Sequence, residues 1–363
     1  MIEPVKFIED LKAYNVTSQE VWRVQDNSKS LKLDWNESVE SHRIVKKALI
    51  DFIENNEGAI KWYPDVEAAD LRESLSDYLN VSRLDISVFG GSDVALETVA
   101  RTYCGPGDKV VSVVPSYDNF RVYIESTGAE IYNIYFNPMD KDIDGLSTKF
   151  QSLDFTPKLI YINNPNNPIG YHISIDEIES LLIKFKDSLF IIDEAYIEFL
   201  GKSHSTVSLV ENYENIVVAR SFSKAFGLAG LRLGYIVSNR ANLLHINKIR
   251  NGKNISMFAQ IAGKVLIDNS QYVTAYVEKV NESKKWFLHN LKKHGITAHG
   301  SKANFVLVEV TNPEQVLMQL KRENIYVRNR SHMEGLENMI RITIGNKEVM
   351  KRTFDVLKQV TKR

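Results

Sequence analysis

Between residues 85 and 240 short apolar runs alternate with segments of helical period, and no other feature of the chain limits its fold as tightly. The runs "DISVFG", "DKVVSVV", "AEIYNIYF", "KLIYIN", "SLFIID" and "NIVVARS" read as strands. Strands that are apolar on both faces and separated by helices belong to a parallel sheet covered on both sides. Between them, "SDVALETVARTY" and "SIDEIESLLIKFKD" carry apolar residues at helical spacing, each opened by a Ser and Asp pair suited to capping. The organisation is α/β.

The spacing predicts a large α/β domain over residues 41–245. Beyond it, "AQIAGKVLIDNSQYVTAYVEKVNESKKWFLHNLKKHG" reads as one long linking helix, and "ANFVLVEV", "NIYVRN" and "MIRITIG" as strands of a smaller α+β domain within 246–363. Residues 1–40 have a mixed pattern and are expected to pack with that smaller domain. There is no internal repeat.

Charge narrows the function classes. The 45 basic and 46 acidic residues are interspersed, so no basic stripe is available to neutralise phosphates along a nucleic acid. A single cysteine, Cys104, rules out an intramolecular disulfide and a cysteine-based zinc cluster, and fits a reducing compartment. The eight histidines show no HExxH spacing, so no metal site is expected. Acids at Glu3, Glu9 and Asp10 argue against a signal peptide, and no run approaches the ~20 apolar residues of a membrane span. The expectation is a cytoplasmic protein with no membrane or nucleic-acid partner.

Ligands of open parallel sheets bind beyond the carboxyl ends of the strands. The residues there are Gly90 to Asp93, Pro115 to Tyr117, Asn163 to Gly170, Asp193 to Tyr196 and Ser221 to Lys224. "FGGSDVALE" suits either a tight turn with a Ser/Asp cap or an anion cradle at a helix start. Asp193, after three apolar residues, suits either a helix cap or a carboxylate that needs a cationic partner. Lys224 stands in "SFSKAFGLAGLRLGY", whose small residues would let a bulky ligand reach a nucleophilic amine, and Arg232 could fork onto the same anion.

Rival cofactor motifs fail. "GPGDKV" has Val110 where a dinucleotide fingerprint needs glycine, "GKS" has Tyr196 where a P-loop needs its first glycine, and no Gly-x-Ser-x-Gly elbow occurs. A phosphate cradle, a carboxylate for a ring nitrogen, a stacking aromatic and an imine-forming lysine are together the needs of pyridoxal 5'-phosphate.

From "LKLDWNE" to "RITIG" the sequence resembles the fold-type I, class I/II aminotransferases dependent on pyridoxal phosphate, and most of all the histidinol-phosphate aminotransferase branch. The resemblance implies the PLP-dependent transferase fold, a large domain with a mainly parallel sheet between helices plus a smaller α+β domain. It implies that Lys224 bonds the cofactor and moves the catalytic proton. Ser221, Ser223, Arg232 and the backbone of Ser92 and Asp93 would contact the cofactor phosphate. Asn167 of "NNPNNPIG" and Tyr196 of "IIDEAYIEF" would contact the ring hydroxyl, Asp193 the ring nitrogen, and Tyr117 of "PSYDNF" would stack on the ring. Tyr63 of "KWYPDVEAADLRESL" would reach the neighbouring subunit's cofactor phosphate, which implies a homodimer. Arg328 of "YVRNRS" and Arg341 of "MIRITIG" match the family's two substrate-anion arginines, and Asn36 lies in a segment that borders the substrate.

Three places depart from the family. "WNESVES" has Ser38 and Val39 where the family has Asn-Pro, and Ile169 replaces a threonine. In "RNGKNISMFAQ", Gly252, Lys253 and Ser256 replace a proline, an aromatic and an asparagine. Lys253 is therefore a candidate for a substrate phosphate or carboxylate. The expected activity is amino transfer from a donor such as glutamate to a keto or aldehyde acceptor, with or without a phosphate. The rival readings are a phosphorylated-amino-acid decarboxylase resembling threonine-phosphate decarboxylase, and a PLP-sensing regulator. The regulator is disfavoured because only about 40 residues precede the large domain, without basic enrichment.

Overall fold

The computed structural model describes residues 2–14, 20–24, 26–139 and 145–361; the remaining positions of the expected 1–40 segment lie outside them. Among the described residues the strands form three sheets. After the short β1 (Leu31–Lys32), the central sheet contains β2 (Ile86–Phe89), β3 (Lys109–Val114), β4 (Glu130–Tyr135), β5 (Leu159–Asn163), β6 (Leu189–Asp193), β7 (Ile216–Ser221) and β8 (Gly234–Ser238). Their order is β2-β8-β7-β6-β5-β3-β4.

All six strands read from the sequence are present. β5, β6 and β7 are buried throughout, whereas β4 is a partly exposed edge strand, as its polar Glu130 and Asn133 allow. The seventh, β8, was hidden in the glycine-rich stretch and runs antiparallel to both β7 and β2. A parallel return needs a crossover, usually through a helix. Residues 222–233 hold only a single short 3-10 turn, Ala229–Leu231, so the chain doubles back. Gly234, which opens β8, lies so close to the Ser92 helix that a Cβ there would sit 2.4 Å from the Ser92 amide nitrogen.

Helix Ser92–Tyr103 begins without the expected side-chain cap: Gly91, at φ 104°, is its N-cap, and Ser92 is already helical. Ser174 does cap its helix, Ile175–Lys184, by accepting from the Glu177 amide. The expected long linking helix is two helices, Met257–Asp268 and Gln271–Lys293. Between them Asn269 bonds back to the Val265 carbonyl and leaves helical geometry, the local competition that asparagine offers a helix.

The remaining strands are β9 (Ala298–Gly300), β10 (Phe305–Glu309), β11 (Ile325–Tyr326), β12 (Arg328–Asn329) and β13 (Met339–Thr343). They make an antiparallel sheet β12-β13-β10-β9, while β1 pairs with β11 in parallel. The second long helix ties this region to the central sheet. Its buried Lys284 donates to the Ser301 and Ala303 carbonyls, and Ser301 packs where a Cβ on Gly170 would collide at 2.0 Å. The loop carrying Asn167 is thereby fixed from below.

Candidate active site

The carboxyl ends of β2, β3, β5, β6 and β7 open on one cavity of about 510 Å³. Its lining includes Ser92, Asp93, Tyr117, Asn167, Asp193, Tyr196, Ser221, Ser223, Lys224 and Arg232. Residues far apart in the chain meet here because β2, β3, β5, β6 and β7 run in the same direction through one sheet, with the antiparallel β8 starting at the same edge. Lys224 Nζ donates to the Trp35 carbonyl at 2.8 Å and stands 5.9 Å from the Tyr196 ring centroid.

At one wall the Tyr117 hydroxyl donates to Asp93 Oδ1 at 2.8 Å, and Arg232 Nη2 donates to Asp93 Oδ2 at 3.1 Å. Arg232 sits at φ 51°, in the left-handed region, and its guanidinium lies against Gly91, where a Cβ would meet Nη2 at 2.6 Å. Only glycine, also at positive φ there, leaves this arginine room. Ser221 Oγ accepts from the Ser223 amide at 3.1 Å. The Ser92 helix start, free of a side-chain cap, adds backbone donors and the positive end of a helix dipole.

Asp193 ends β6 on the cavity floor, 4% exposed. Its oxygens accept from the Tyr161 hydroxyl at 2.8 Å and the Ala195 amide at 3.2 Å, and among the described residues no cation lies within ion-pair distance. Burial pushes its pKa up to about 6, against the two hydrogen bonds. The positive charge acting on this carboxylate is that of Lys224, from beyond contact distance. Behind it, Arg220 pairs with Glu194 at 2.8 Å and Glu198 at 3.0 Å, all three nearly inaccessible. Arg220 and Glu194 directly adjoin Ser221 and Asp193, so this cluster fixes the ends of β7 and β6. Sequence reasoning missed it, although an arginine inside the apolar run "NIVVARS" was a signal.

The opposite wall comes from the smaller sheet. Arg328 and Arg341 face each other in register across β12 and β13, and both line the cavity with Arg330. Arg341 Nη1 donates to Asn167 Oδ1 and Nη2 to the Asp34 carbonyl, while its buried Nε has no acceptor among the described residues. Burial, then the charge of Arg330, pulls its pKa down to about 9. Asn167 receives its own support from Asn163, whose Oδ1 accepts the Asn167 amide at 2.7 Å. Asn36, at φ 58° and 1% exposed, donates to the Tyr196 hydroxyl at 3.0 Å and exchanges hydrogen bonds with Thr343.

The class I and II aminotransferase family matches residues 29–357. A dihydroxyacetone phosphate transaminase of Campylobacter jejuni is 34% identical over 99% of this chain and 97% of its own length. A histidinol-phosphate aminotransferase of Ruminiclostridium cellulolyticum is 30% identical over 94% and 95% respectively. The chain belongs to the class I and II aminotransferases. A solved histidinol-phosphate aminotransferase from Sinorhizobium meliloti, in complex with pyridoxal-5'-phosphate, shares the fold at a TM-score of 0.88 and 23% identity, covering 100% of this chain and 98% of that one.

The aminotransferase cavity fits pyridoxal phosphate. A buried carboxylate raised toward neutrality and outside any ion pair suits a protonated ring nitrogen, and the half-exposed Arg232, held by Asp93 and the Ala229 carbonyl, suits a phosphate. Two expected residues are not brought to this cavity by their own chain. Tyr63 is 78% exposed, and Lys253, expected near the substrate, instead sits with Nζ 4.9 Å from the Tyr63 ring centroid. The altered loop packs on the Tyr63 segment. Arg250 donates to the Val66 carbonyl and pairs with Glu67, and a Cβ on Gly252 would meet the Val66 carbonyl oxygen at 2.6 Å. The other departures are packing changes: Ser38 lies against Gly227, and Ile169 is buried in a small cluster with Leu307 and Leu336. Among the described residues no helix is long and apolar enough to cross a membrane.

Proposed function

We propose that this aminotransferase moves the amino group of a dicarboxylic donor such as glutamate to a phosphorylated keto or aldehyde acceptor. The observation that carries the reading is the pair Arg328 and Arg341, registered on adjacent strands and opening on the same cavity as Lys224. Both similar proteins act, by their names, on phosphate esters.

Pyridoxal phosphate, when bound, supplies an electron sink for charge that develops at the substrate Cα. Ser221, Ser223, Arg232 and the amides of Ser92 and Asp93 would hold its phosphate. Tyr117 would stack on its ring, Asn167 and Tyr196 would orient the ring hydroxyl, and Asp193 would keep the ring nitrogen protonated. Arg341 fixes the substrate carboxylate, and because it also holds Asn167 it couples substrate position to ring position. Lys224 would hold the cofactor through its Nζ, and the same amine would carry the proton to and from the substrate Cα. Asn36 holds the Tyr196 hydroxyl from the substrate side.

In this reading the enzyme works in the cytoplasm as a homodimer, with the exposed Tyr63, and Lys253 stacked on it, reaching the partner's cavity. Residues 41–245 form the cofactor domain and 246–363, joined by residues 1–40, the substrate-closing domain.

The test follows the cofactor absorbance in single half-reactions. Glutamate should convert the loaded enzyme to its aminated form, and phosphorylated oxo compounds should convert it back at least about tenfold faster than their unphosphorylated counterparts. Carbon dioxide release without an oxo acid would replace amino transfer by decarboxylation, the chemistry named for a structural neighbour from Porphyromonas gingivalis.

A further inference from the structure

Arg330 lies just beyond β12, two residues after Arg328, and the family resemblance gives it no role. It lines the cavity with Lys224 and Arg341, is 6% exposed, and its buried Nε has no acceptor among the described residues. The carboxylate nearest to it is Asp118, with Nη1 to Oδ2 at 3.5 Å. That is slack beside the ~2.8 Å of a well-formed charge-assisted bond. Nη1 also meets Met333 Sδ at 3.8 Å. A guanidinium carries five N–H donors, and these contacts leave it under-satisfied.

Asp118 is unusual in its turn. It occupies the N-cap position of helix Asn119–Glu125, yet its side chain accepts no capping bond. The carboxylate faces Arg330 instead. Burial and then Arg328 hold the Arg330 pKa below its ordinary value, and Asp118 opposes them. A buried guanidinium with so loose a counter-ion is a standing anion site.

We propose that Arg330 is a specificity-determining residue that takes the distal phosphate monoester of the acceptor, and that Asp118 is an internal competitor which occupies Arg330 until that dianion arrives. A substrate carboxylate carries the same charge as Asp118 and gains little by the exchange. A phosphate dianion carries twice that charge and offers more acceptor oxygens, so it wins the exchange. The inference rests on the amino-transfer reading and adds the residue that selects phosphate over carboxylate.

The test is calorimetric titration of inorganic phosphate into the cofactor-loaded enzyme, so it needs no turnover. Arg330→Gln should weaken phosphate binding by about tenfold or more, and Asp118→Asn, which keeps a good N-cap residue, should tighten it by roughly threefold to tenfold. Partners in a merely structural ion pair would shift affinity in the same direction when either is removed. Shifts of equal sign, or no shift in either variant, would overturn the proposal. Opposed shifts in an enzyme that reacts with no amino donor would sink the amino-transfer reading and leave the role of Arg330 intact.

Discussion

The two walls of the cavity are built on opposite principles. On the wall formed by the central sheet, polar groups hold each other: Tyr117 and Arg232 share Asp93, Ser223 leans on Ser221, and Asn163 holds Asn167. On the wall formed by the smaller sheet, Arg330 and Arg341 are buried, each with an Nε that finds no acceptor among the described residues, and burial drives their pKa values down. The first wall is complete in itself and suits a permanent occupant. The second is under tension until an anion enters, which suits a substrate that must come and go. Asp193 is the exception on the first wall, a buried carboxylate that waits for a cation.

The sharpest break in this comparison is Lys224→Ala, because in the proposed function Lys224 is the group that both walls serve. Turnover should fall by at least about a thousandfold, and the absorbance band that depends on the lysine–cofactor bond should vanish. The spectrum of the loaded variant checks this directly. A variant that kept the band would move the covalent role elsewhere.

Asp193→Asn tests the exception. Burial holds the native-state pKa of Asp193 at about 6, above the ordinary aspartate value of 3.8. In the cofactor-free protein the unfolded chain therefore ionises first as pH rises, so this group costs stability progressively between about pH 4 and pH 6, and the full cost remains above that window. A shift of this size corresponds to roughly 3 kcal/mol. Asparagine keeps one acceptor oxygen for the Ala195 amide and turns its Nδ2 as a donor to the Tyr161 hydroxyl oxygen, with no charge to bury. The cofactor-free variant should be more stable than the parent at pH 8 by about 1–3 kcal/mol and no more stable at pH 3.5, read from urea unfolding. The loaded variant should lose on the order of a hundredfold in kcat, because the ring nitrogen has lost its counter-charge.

The two walls also differed in how far they could be read from sequence. Cofactor-side groups sit on short local stretches, where an apolar run ending in Asp193 or Ser221 already announces the lip of a parallel sheet. Substrate-side geometry depends on partners far apart in the chain: Asn36 with Thr343, and Arg341 with the Asp34 carbonyl, each separated by 307 positions. No local pattern encodes such pairs. The same limit explains why Arg328 and Arg341 could be named by motif while Arg330, two residues after Arg328, and the Arg220–Glu194–Glu198 cluster could not. Strand β8 escaped for a different reason. Its direction is set by the absence of a crossover helix, and its glycine start resembles the loop before it.

A conservative change at Arg341 measures the tension of the second wall. Lysine keeps the charge but lacks the fork that reaches both Asn167 and the Asp34 carbonyl. Arg341→Lys should raise KM for the amino donor by roughly tenfold to a hundredfold, from the loss of one or two charge-assisted bonds. It should also lower kcat by a smaller factor through the displaced Asn167. A change in KM alone would show that Arg341 holds substrate without positioning the ring contact.

Lys253 gives the smallest expected effect and asks whether the first wall is finished within one subunit. The residue stacks on the exposed Tyr63 instead of lining the cavity of its own chain, so removing its charge should leave the substrate wall of that chain unchanged. If Tyr63 reaches the partner's cofactor phosphate, Lys253 steadies the aromatic ring that carries the hydroxyl there, and an exposed cation–π contact is worth about 0.5–1 kcal/mol. Lys253→Ala should therefore loosen cofactor binding by roughly twofold to fivefold while KM for both substrates stays within about twofold. Cofactor dissociation measured by absorbance separates this from the direct role. A selective rise in KM for phosphorylated acceptors would return Lys253 to the substrate and make the second wall a joint product of two subunits.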